Sequence, residues 1–341
     1  MACEHLLPRR GDKMDAELTL DQKRSLIADG FLRLEGAVPQ ELVSAARRQI
    51  NMTLGSEGID QEQIVIFQSQ SWTPGLRNHH TITDLFNKSS LAPIMRNALG
   101  GEPDVIPEAQ GGQIALRFPL PPEEADAVAQ QPEALRWGGH LDGLHTPTNG
   151  VPKGVLGTFT CLVGVALSEQ LEPFCGNLGV LRGGHKINEQ FFRRQLASGD
   201  GSFGPGGEGW PLTDDGVPSD YIPPPLREAL ADAPGSVRGD DGRVSPLPTQ
   251  VMCKPGDAVL VHYCVPHGNV RECSSSLCIF FGSQRFCAAN LSPDTRYMIY
   301  FRVNHKDHGK FGGNGEGKIL VDNWFEWPGV ADALDADAAR L

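Results

Sequence analysis

The sequence lacks the features that mark membrane-spanning and disulfide-rich proteins. It contains no run of 18 apolar residues, so no transmembrane helix is expected. Its eight cysteines include no Cys-x-x-Cys pair, which favours free thiols in a reducing compartment. Met1–Glu17 is charged and has no continuous apolar core, so it does not resemble a secretory signal. The cytoplasm is therefore the expected location.

Positive charge is also scarce. Lys and Arg number 30 against 42 Asp and Glu, which gives a net charge of −12, and no basic stripe is visible. This argues against nucleic acid and anionic membranes as partners. A hydrophobic fraction of 40% and a charged fraction of 21% are ordinary for a globular protein and exclude wholesale disorder.

Glycine and proline, by contrast, are abundant, at 40 and 26 residues, and predict short strands joined by long loops. Helical patterns predominate at the start of the chain, and strand patterns predominate from Gln113 onward. The predicted helices are Leu20–Asp29, Pro39–Thr53, Ser90–Leu99, Ile187–Ala197 and Leu226–Asp232. The predicted strands are Phe31–Leu34, Gln113–Phe118, Val155–Leu167, Asn177–Leu181, Gln250–Cys253, Ala258–Val265 and Arg296–Val303. This order predicts a mainly β (α+β) fold, with a jelly-roll or barrel core and an N-terminal helical flank.

The predicted domain organisation follows from these patterns. Residues 1–16 are expected to form a flexible tail, and residues 17–341 a single domain. Within that domain we expect a helical flank at 17–110, a β core at 111–305 and a C-terminal tail at 306–341. The core includes a Gly/Pro/Asp-rich loop or lid at 198–248.

One short motif has the spacing of a metal-binding pair. In His140-Leu141-Asp142, residues i and i+2 of a strand point to the same face. The motif is weak alone, because His305 and Asp307 show it too. A 2-His-1-carboxylate triad needs a second histidine from a distant strand. His267, at the end of an apolar strand 127 residues after His140, can supply it, although a histidine capping a strand end is the alternative.

Further segments resemble one known family. They are Gly176–Lys186, which reads GNLGVLRGGHK; Lys254-Pro255-Gly256-Asp257 before His267; and Asp29–Gly36 near the start. With the His-x-Asp pair, their order resembles the phytanoyl-CoA dioxygenase family of iron(II)/2-oxoglutarate oxygenases. Arg182 and Gly184 depart from the family's Pro and Ser. The resemblance covers roughly residues 20–305 and implies a double-stranded β-helix, which is a cupin-like jelly roll.

The resemblance also implies a cofactor set and a reaction. His140, Asp142 and His267 would bind Fe(II), with 2-oxoglutarate and O2 as co-substrates. Arg296 would pair with the far carboxylate of 2-oxoglutarate, because a planar guanidinium matches a carboxylate. Gln113 is a candidate hydrogen-bond partner of co-substrate or substrate, or alternatively an edge-strand surface residue. The implied reaction is hydroxylation of a substrate C–H bond, and the presence of Asp142 disfavours the halogenase variant.

Arg296 departs from the family's spacing. The family places this arginine about ten residues after the distal histidine, whereas Arg296 lies 29 residues after His267. Without the 19 residues of Val270–Ala288, the separation would be 10. We hypothesise that this segment is a retained intron or similar gene-model artefact, because Val-Arg can be encoded as a splice-donor-like start. A genuine surface loop is the alternative, since a longer loop costs little entropy to close.

Two other kinds of function stay open at this point. The first is a cupin-like binding or scaffold protein that kept the fold without turnover. The second is a metal-dependent isomerase or lyase on the same fold, which would need no 2-oxoglutarate. Adding 2-oxoglutarate separates the oxygenase hypothesis from both.

Overall fold

A computed structural model describes residues 17–60, 71–123, 125–126, 135–137, 139–146, 149–198, 203–238, 242, 244–268, 270–272, 290–309 and 318–338. The helices are α1 (Leu20–Asp29), α2 (Gln40–Glu57), α3 (His80–Asn87), α4 (Leu91–Ala98), α5 (Gly184–Ser198), α6 (Pro224–Ala229), α7 (Lys318–Val321) and α8 (Pro328–Ala338). The strands are β1 (Phe31–Leu34), β2 (Gln113–Arg117), β3 (Leu135–Trp137), β4 (Cys161–Ala166), β5 (Leu178–Val180), β6 (Val237–Arg238), β7 (Val244–Ser245), β8 (Thr249–Val251), β9 (Ala258–His262), β10 (His267–Gly268), β11 (Val270–Glu272) and β12 (Arg296–Val303). Across the described ranges, no helix is long and apolar enough to cross a membrane.

The entry into the fold is fixed by local sequence signals around α1. Thr19 accepts the backbone N–H of Gln22 at 3.2 Å, and the Gln22 side chain accepts the N–H of Thr19 at 2.9 Å, which forms a capping box. The helix ends at Gly30, whose φ of 79° lies in the left-handed region that glycine adopts without strain. The chain therefore turns directly from α1 into β1.

The largest sheet has five strands in the order β1-β9-β4-β12-β2, and the neighbours in it are antiparallel. Alternate residues of a strand face opposite sides. On β12, Tyr297, Ile299 and Phe301 pack into the core formed with the N-terminal helices. Met298 and Tyr300 face the opposite side, which we call the inner face, together with Ala115 of β2.

Smaller antiparallel sheets accompany the large one. They have the orders β10-β5-β8, β11-β3 and β6-β7. The fold is thus mixed α and β with antiparallel sheets, and no closed barrel is formed within the described ranges. A second apolar cluster lies against the inner face and includes Leu141, Phe159, Phe192 and Trp210. Leu141 of this cluster lies between His140 and Asp142 in the sequence.

Three expected segments differ from the structure. The strand predicted at Val155–Leu167 forms only over β4. The residues before β4 form a loop, in which the Gly157 N–H donates to the Gly143 carbonyl at 2.9 Å. The loop expected at 198–248 contains the predicted helix as α6, and in addition it contains β6 and β7 and buries Trp210 completely. The expected tail at 306–341 contains α7 and α8 and buries Trp327. Residues 1–16 lie outside the described residues.

Candidate metal centre

A backbone pairing at His140 brings the candidate ligands together. His140-Leu141-Asp142 does not form the expected strand, because His140 is a bridge residue outside the named strands and Asp142 begins a turn. His140 and His267 form an antiparallel bridge, in which each backbone N–H donates to the other's carbonyl at 2.9 and 3.0 Å. Residues paired in this way project their side chains to the same face. Their rings consequently lie 5.0 Å apart between centroids. Asp142 lies two residues after His140, and its carboxylate reaches the same place.

The three side chains converge on one point. A single donor atom from each of His140, Asp142 and His267 lies within 4.8 Å of the other two. Nε2 of His140 is 3.1 Å from Oδ1 of Asp142, and Nε2 of His267 is 3.9 Å from Oδ2. Two imidazole nitrogens and one carboxylate are the donor set of the 2-His-1-carboxylate facial triad. These residues therefore fit a divalent metal ion, and this is the one such group of three among the described residues.

His267 is buried and oriented by its own strand end. Its Nδ1 lies 3.1 Å from the carbonyl oxygen of Val265, an acceptor, so Nδ1 carries the proton and Nε2 presents its lone pair to the site. Burial lowers the pKa of His267 to about 4, although the charge of Asp142 opposes that shift. The imidazole is therefore neutral at neutral pH, which is the form that binds metals.

Asp142 is held by partners from two other segments. Nε and Nη2 of Arg302 donate to its Oδ2 at 3.2 and 2.9 Å, and the Tyr263 hydroxyl donates to its main-chain carbonyl at 2.9 Å. Burial alone would raise the pKa of this carboxyl. The positive charge of Arg302 and the hydrogen bond with His140 outweigh burial and hold the pKa well below its usual range. Asp142 is consequently ionised and ready to act as a ligand.

The turn after Asp142 depends on glycine. Gly143 has a φ of 83°, and a Cβ built on it would lie 1.7 Å from the carbonyl oxygen of Gly157. Any side chain there would push the two backbone segments apart. Gly143 was not among the predicted site residues.

Residues 210–227 hold the backbone between His140 and Asp142 through hydrogen bonds and an ion pair. The Leu141 N–H, between the two ligands, donates to the carbonyl of Tyr221 at 2.9 Å. The neighbouring Asp220 forms a buried two-point ion pair with Arg227, whose Nη2 lies 2.7 Å from Oδ1. Trp210 donates its indole N–H to the Asp220 carbonyl at 3.0 Å. The segment expected as a loop or lid thus holds the backbone between the two ligands.

Arg296 and Gln113 lie on the inner face of the large sheet. Arg296 is buried and donates from Nε to the Gly176 carbonyl at 2.7 Å and from Nη1 to the Ala115 carbonyl at 3.3 Å. Burial lowers the pKa of its guanidinium, while a hydrogen bond with Tyr300 opposes the shift. Gln113 is half-buried and stands opposite Tyr300 in the β2–β12 register, on the same face.

Sequence reasoning missed Arg302, Tyr263 and Tyr300. The period-two pattern of β12 was a usable signal for two of them, because Arg296, Met298, Tyr300 and Arg302 share one face. Tyr263 follows β9, and nothing in its sequence context indicates that it reaches the Asp142 carbonyl.

The competing motif and the suspected insertion can also be located. His305 accepts the Asp307 N–H on its Nδ1 at 3.1 Å and forms a local turn. Of Val270–Ala288, only residues 270–272 are described, and they form β11, which pairs with β3. The rest of that segment lies outside the described residues, so the insertion hypothesis stays a prediction.

Comparison with known proteins gives similar solved structures only. No protein-family model and no curated protein matches the sequence. HygX from Streptomyces hygroscopicus, solved with nickel and 2-oxoglutarate bound, is 15% identical over 85% of this chain and 88% of its own, with a TM-score of 0.45. EctD from S. alaskensis, in its apoform, is 17% identical over 86% and 80%, with a TM-score of 0.45. SnoK, a non-heme alpha-ketoglutarate-dependent carbocyclase from nogalamycin biosynthesis, is 14% identical over 87% and 92%, with a TM-score of 0.43. Similarity at this level leaves the functional interpretation to the residues of the site.

Proposed function

We propose that this protein is an iron(II)- and 2-oxoglutarate-dependent dioxygenase that hydroxylates a C–H bond of a small molecule. The observation that carries the proposal is the convergence of His140, Asp142 and His267 on one point, at a backbone bridge between His140 and His267. We also infer that the five-stranded and three-stranded sheets are the two halves of a double-stranded β-helix.

In this proposal, His140, Asp142 and His267 would hold the iron ion. Bound iron and 2-oxoglutarate supply the oxidising chemistry, which no side chain here can supply. The protein contributes the ionised Asp142 and the neutral His267. Because Asp142 is kept as a carboxylate, the proposal is a hydroxylase and not a halogenase.

Arg296 is the proposed partner of the distal carboxylate of 2-oxoglutarate. It is a buried cation on the inner face, and its guanidinium is oriented by the carbonyls of Gly176 and Ala115. Tyr300 lies between Arg296 and Arg302 on the same face and hydrogen-bonds Arg296. Gln113 stands beside Tyr300 and is the proposed second polar contact.

An anaerobic visible spectrum with Fe(II), before and after 2-oxoglutarate, tests the proposal. We expect a weak metal-to-ligand charge-transfer band to grow on addition of 2-oxoglutarate in the full chain. The band should be absent from Asp142→Ala and unchanged in the control Asp307→Ala.

The other outcomes are equally informative. A band that forms only after deletion of Val270–Ala288 would support the oxygenase and the insertion hypothesis together. Metal binding without a band in either chain would contradict the proposal and favour the isomerase or lyase. Absence of metal binding would favour the scaffold protein.

A further inference from the structure

Arg302 stands at the open side of the candidate metal centre. It lies on the inner face near the end of β12, and its side chain is 48% exposed, whereas those of Asp142 and His267 are 10% and 7% exposed. Among the described residues, Arg302 is thus a positively charged side chain that contacts a candidate ligand and is also accessible to solvent.

The guanidinium of Arg302 is fixed on two sides. One edge, formed by Nε and Nη2, donates to Oδ2 of Asp142. The carbon of the guanidinium lies 5.6 Å from the centre of the Phe159 ring, at cation–π distance. Phe159 in turn packs edge-on against Tyr263, which holds the Asp142 carbonyl. Aromatic packing and the ion pair together restrict the orientation of Arg302.

The other edge of Arg302 has no partner in the part of the chain that the structure describes. Arginine has five N–H donors in a rigid fork. The contacts with Asp142 use Nε and Nη2, and Nη1 makes no hydrogen bond with any described residue. A free edge of a preoriented guanidinium matches a carboxylate in a two-point contact.

We propose that the free edge of Arg302 binds a carboxylate group of the substrate beside the metal. This inference rests on the proposed function. The charges support it. Among the described residues assigned to the site, the cations are Arg302 and Arg296, and a divalent ion would join them, against Asp142 and the two carboxylates of the co-substrate. One positive charge is left over, which a single carboxylate neutralises.

The same charges limit the kind of substrate. The chain as a whole carries a net charge of −12, which repels polyanions over long range. Arg302 is one local cation, so it fits a substrate with one carboxylate better than a nucleotide-like polyanion. The C–H bond to be hydroxylated would lie on the metal side of that carboxylate.

Benzoate and benzamide serve as matched probes, because they differ in charge and not in shape. The protein is loaded with Mn(II) and saturating 2-oxoglutarate, and the paramagnetic relaxation of the probe protons is measured by NMR. We expect faster relaxation for benzoate than for benzamide in the full-length chain. Arg302→Gln should weaken benzoate binding at least tenfold, since it removes a charged two-point contact.

One further variant separates charge from geometry at Arg302, and a second variant, far from the site, is the control. Arg302→Lys keeps the charge without the fork and should retain part of the benzoate affinity. Arg48→Gln removes an exposed arginine of α2, on the opposite side of the large sheet, and should change nothing. Mn(II) affinity is determined first by EPR for each variant, so that all are compared when fully loaded.

The outcomes separate the two proposals. If the Fe(II) and 2-oxoglutarate band forms but benzoate and benzamide relax equally, the substrate proposal is wrong and the oxygenase stands. If benzoate binds Arg302→Gln as well as the unchanged chain, the carboxylate contacts the metal instead, and the assignment to Arg302 is overturned. If the band never forms, both proposals fail.

Discussion

Asp142 accepts hydrogen bonds from three segments of the chain. His140 lies on one carboxylate oxygen, Arg302 on the other, and the Tyr263 hydroxyl on the main-chain carbonyl. Partners of this kind orient a metal ligand and tune its affinity. At the scale of single residues, the site is thus specified by contacts far apart in sequence.

Removal of the carboxylate should abolish metal binding selectively. We expect Asp142→Ala to lower Ni(II) affinity by about 100-fold or more, because loss of an outer partner alone typically costs about 10- to 100-fold. The control is Asp307→Ala, which removes the acid of the other His-x-Asp pair. Titration calorimetry with Ni(II) measures both, and equal losses would contradict the assignment.

The candidate ligands could be predicted from sequence because their signal is local. His140 and Asp142 are two residues apart, and His267 follows a clearly apolar segment. The strands expected at both places were wrong in part, because Asp142 lies in a turn and the apolar strand ends at His262. Arg302 could not be predicted in the same way. Its contact with Asp142 joins residues 160 positions apart and depends on the side chains of folded strands.

Among the elements, the turn after the ligand pair has the least tolerance for change. Gly143→Ala should destabilise the fold by several kcal/mol, since its Cβ would overlap the Gly157 carbonyl. Gly150→Ala is the matched control. Gly150 also has a positive φ, 73°, but nothing lies within 4 Å of its Cβ position, so about 1 kcal/mol is expected. Urea unfolding measures the difference, and similar losses for the two variants would refute the close contact.

The buried ion pair between Asp220 and Arg227 gives a second prediction at the scale of elements. Arg227→Met leaves Asp220 buried without its partner and should cost about 3–5 kcal/mol of unfolding free energy. The control, Arg238→Met, removes an exposed pair with Glu228 and should cost less than about 1 kcal/mol. The Arg227 variant should also weaken Ni(II) binding, because Tyr221 beside Asp220 holds Leu141. A loss of stability with unchanged metal affinity would contradict that link.

Element prediction succeeded where caps or alternation set the bounds. The bounds of α1, β1 and β12 agree with those predicted from the sequence. The helix α3 was missed, although Ile82, Leu85 and Phe86 have helical spacing and are buried. The start of β4 and the helices after residue 305 depend on tertiary contacts, which a local pattern does not show.

At the scale of the whole molecule, buried histidines link stability to pH. His185 and His262 are buried against Trp324 of the C-terminal segment, and their ring centres lie 5.9 Å apart. Burial lowers their pKa values to about 4 and about 3, respectively. Both are neutral in the folded chain at pH 7. Below about pH 6.5 the unfolded chain binds protons that the folded chain does not.

The unfolding free energy should therefore fall as the pH is lowered from 7 towards 4. Each such histidine contributes a slope of up to about 1.4 kcal/mol per pH unit in this window. Without metal, His267 adds a third contribution of the same sign. His262→Asn should reduce the slope, and the exposed His80→Asn should not. Urea unfolding at several pH values measures this, and an unchanged slope in His262→Asn would contradict it.

Strand β12 fixes the distance between the backbones of Arg296 and Arg302. It is an internal strand of the large sheet, paired with β4 and β2, and it carries Arg296 and Arg302 six residues apart on one face. At about 3.3 Å per residue, their backbones are separated by about 20 Å. No loop can alter this spacing, because hydrogen bonds on both sides keep the strand extended. Changes in the surrounding loops can alter which substrate shapes fit. The sheet, however, determines the combined length of the co-substrate proposed at Arg296 and the substrate proposed at Arg302.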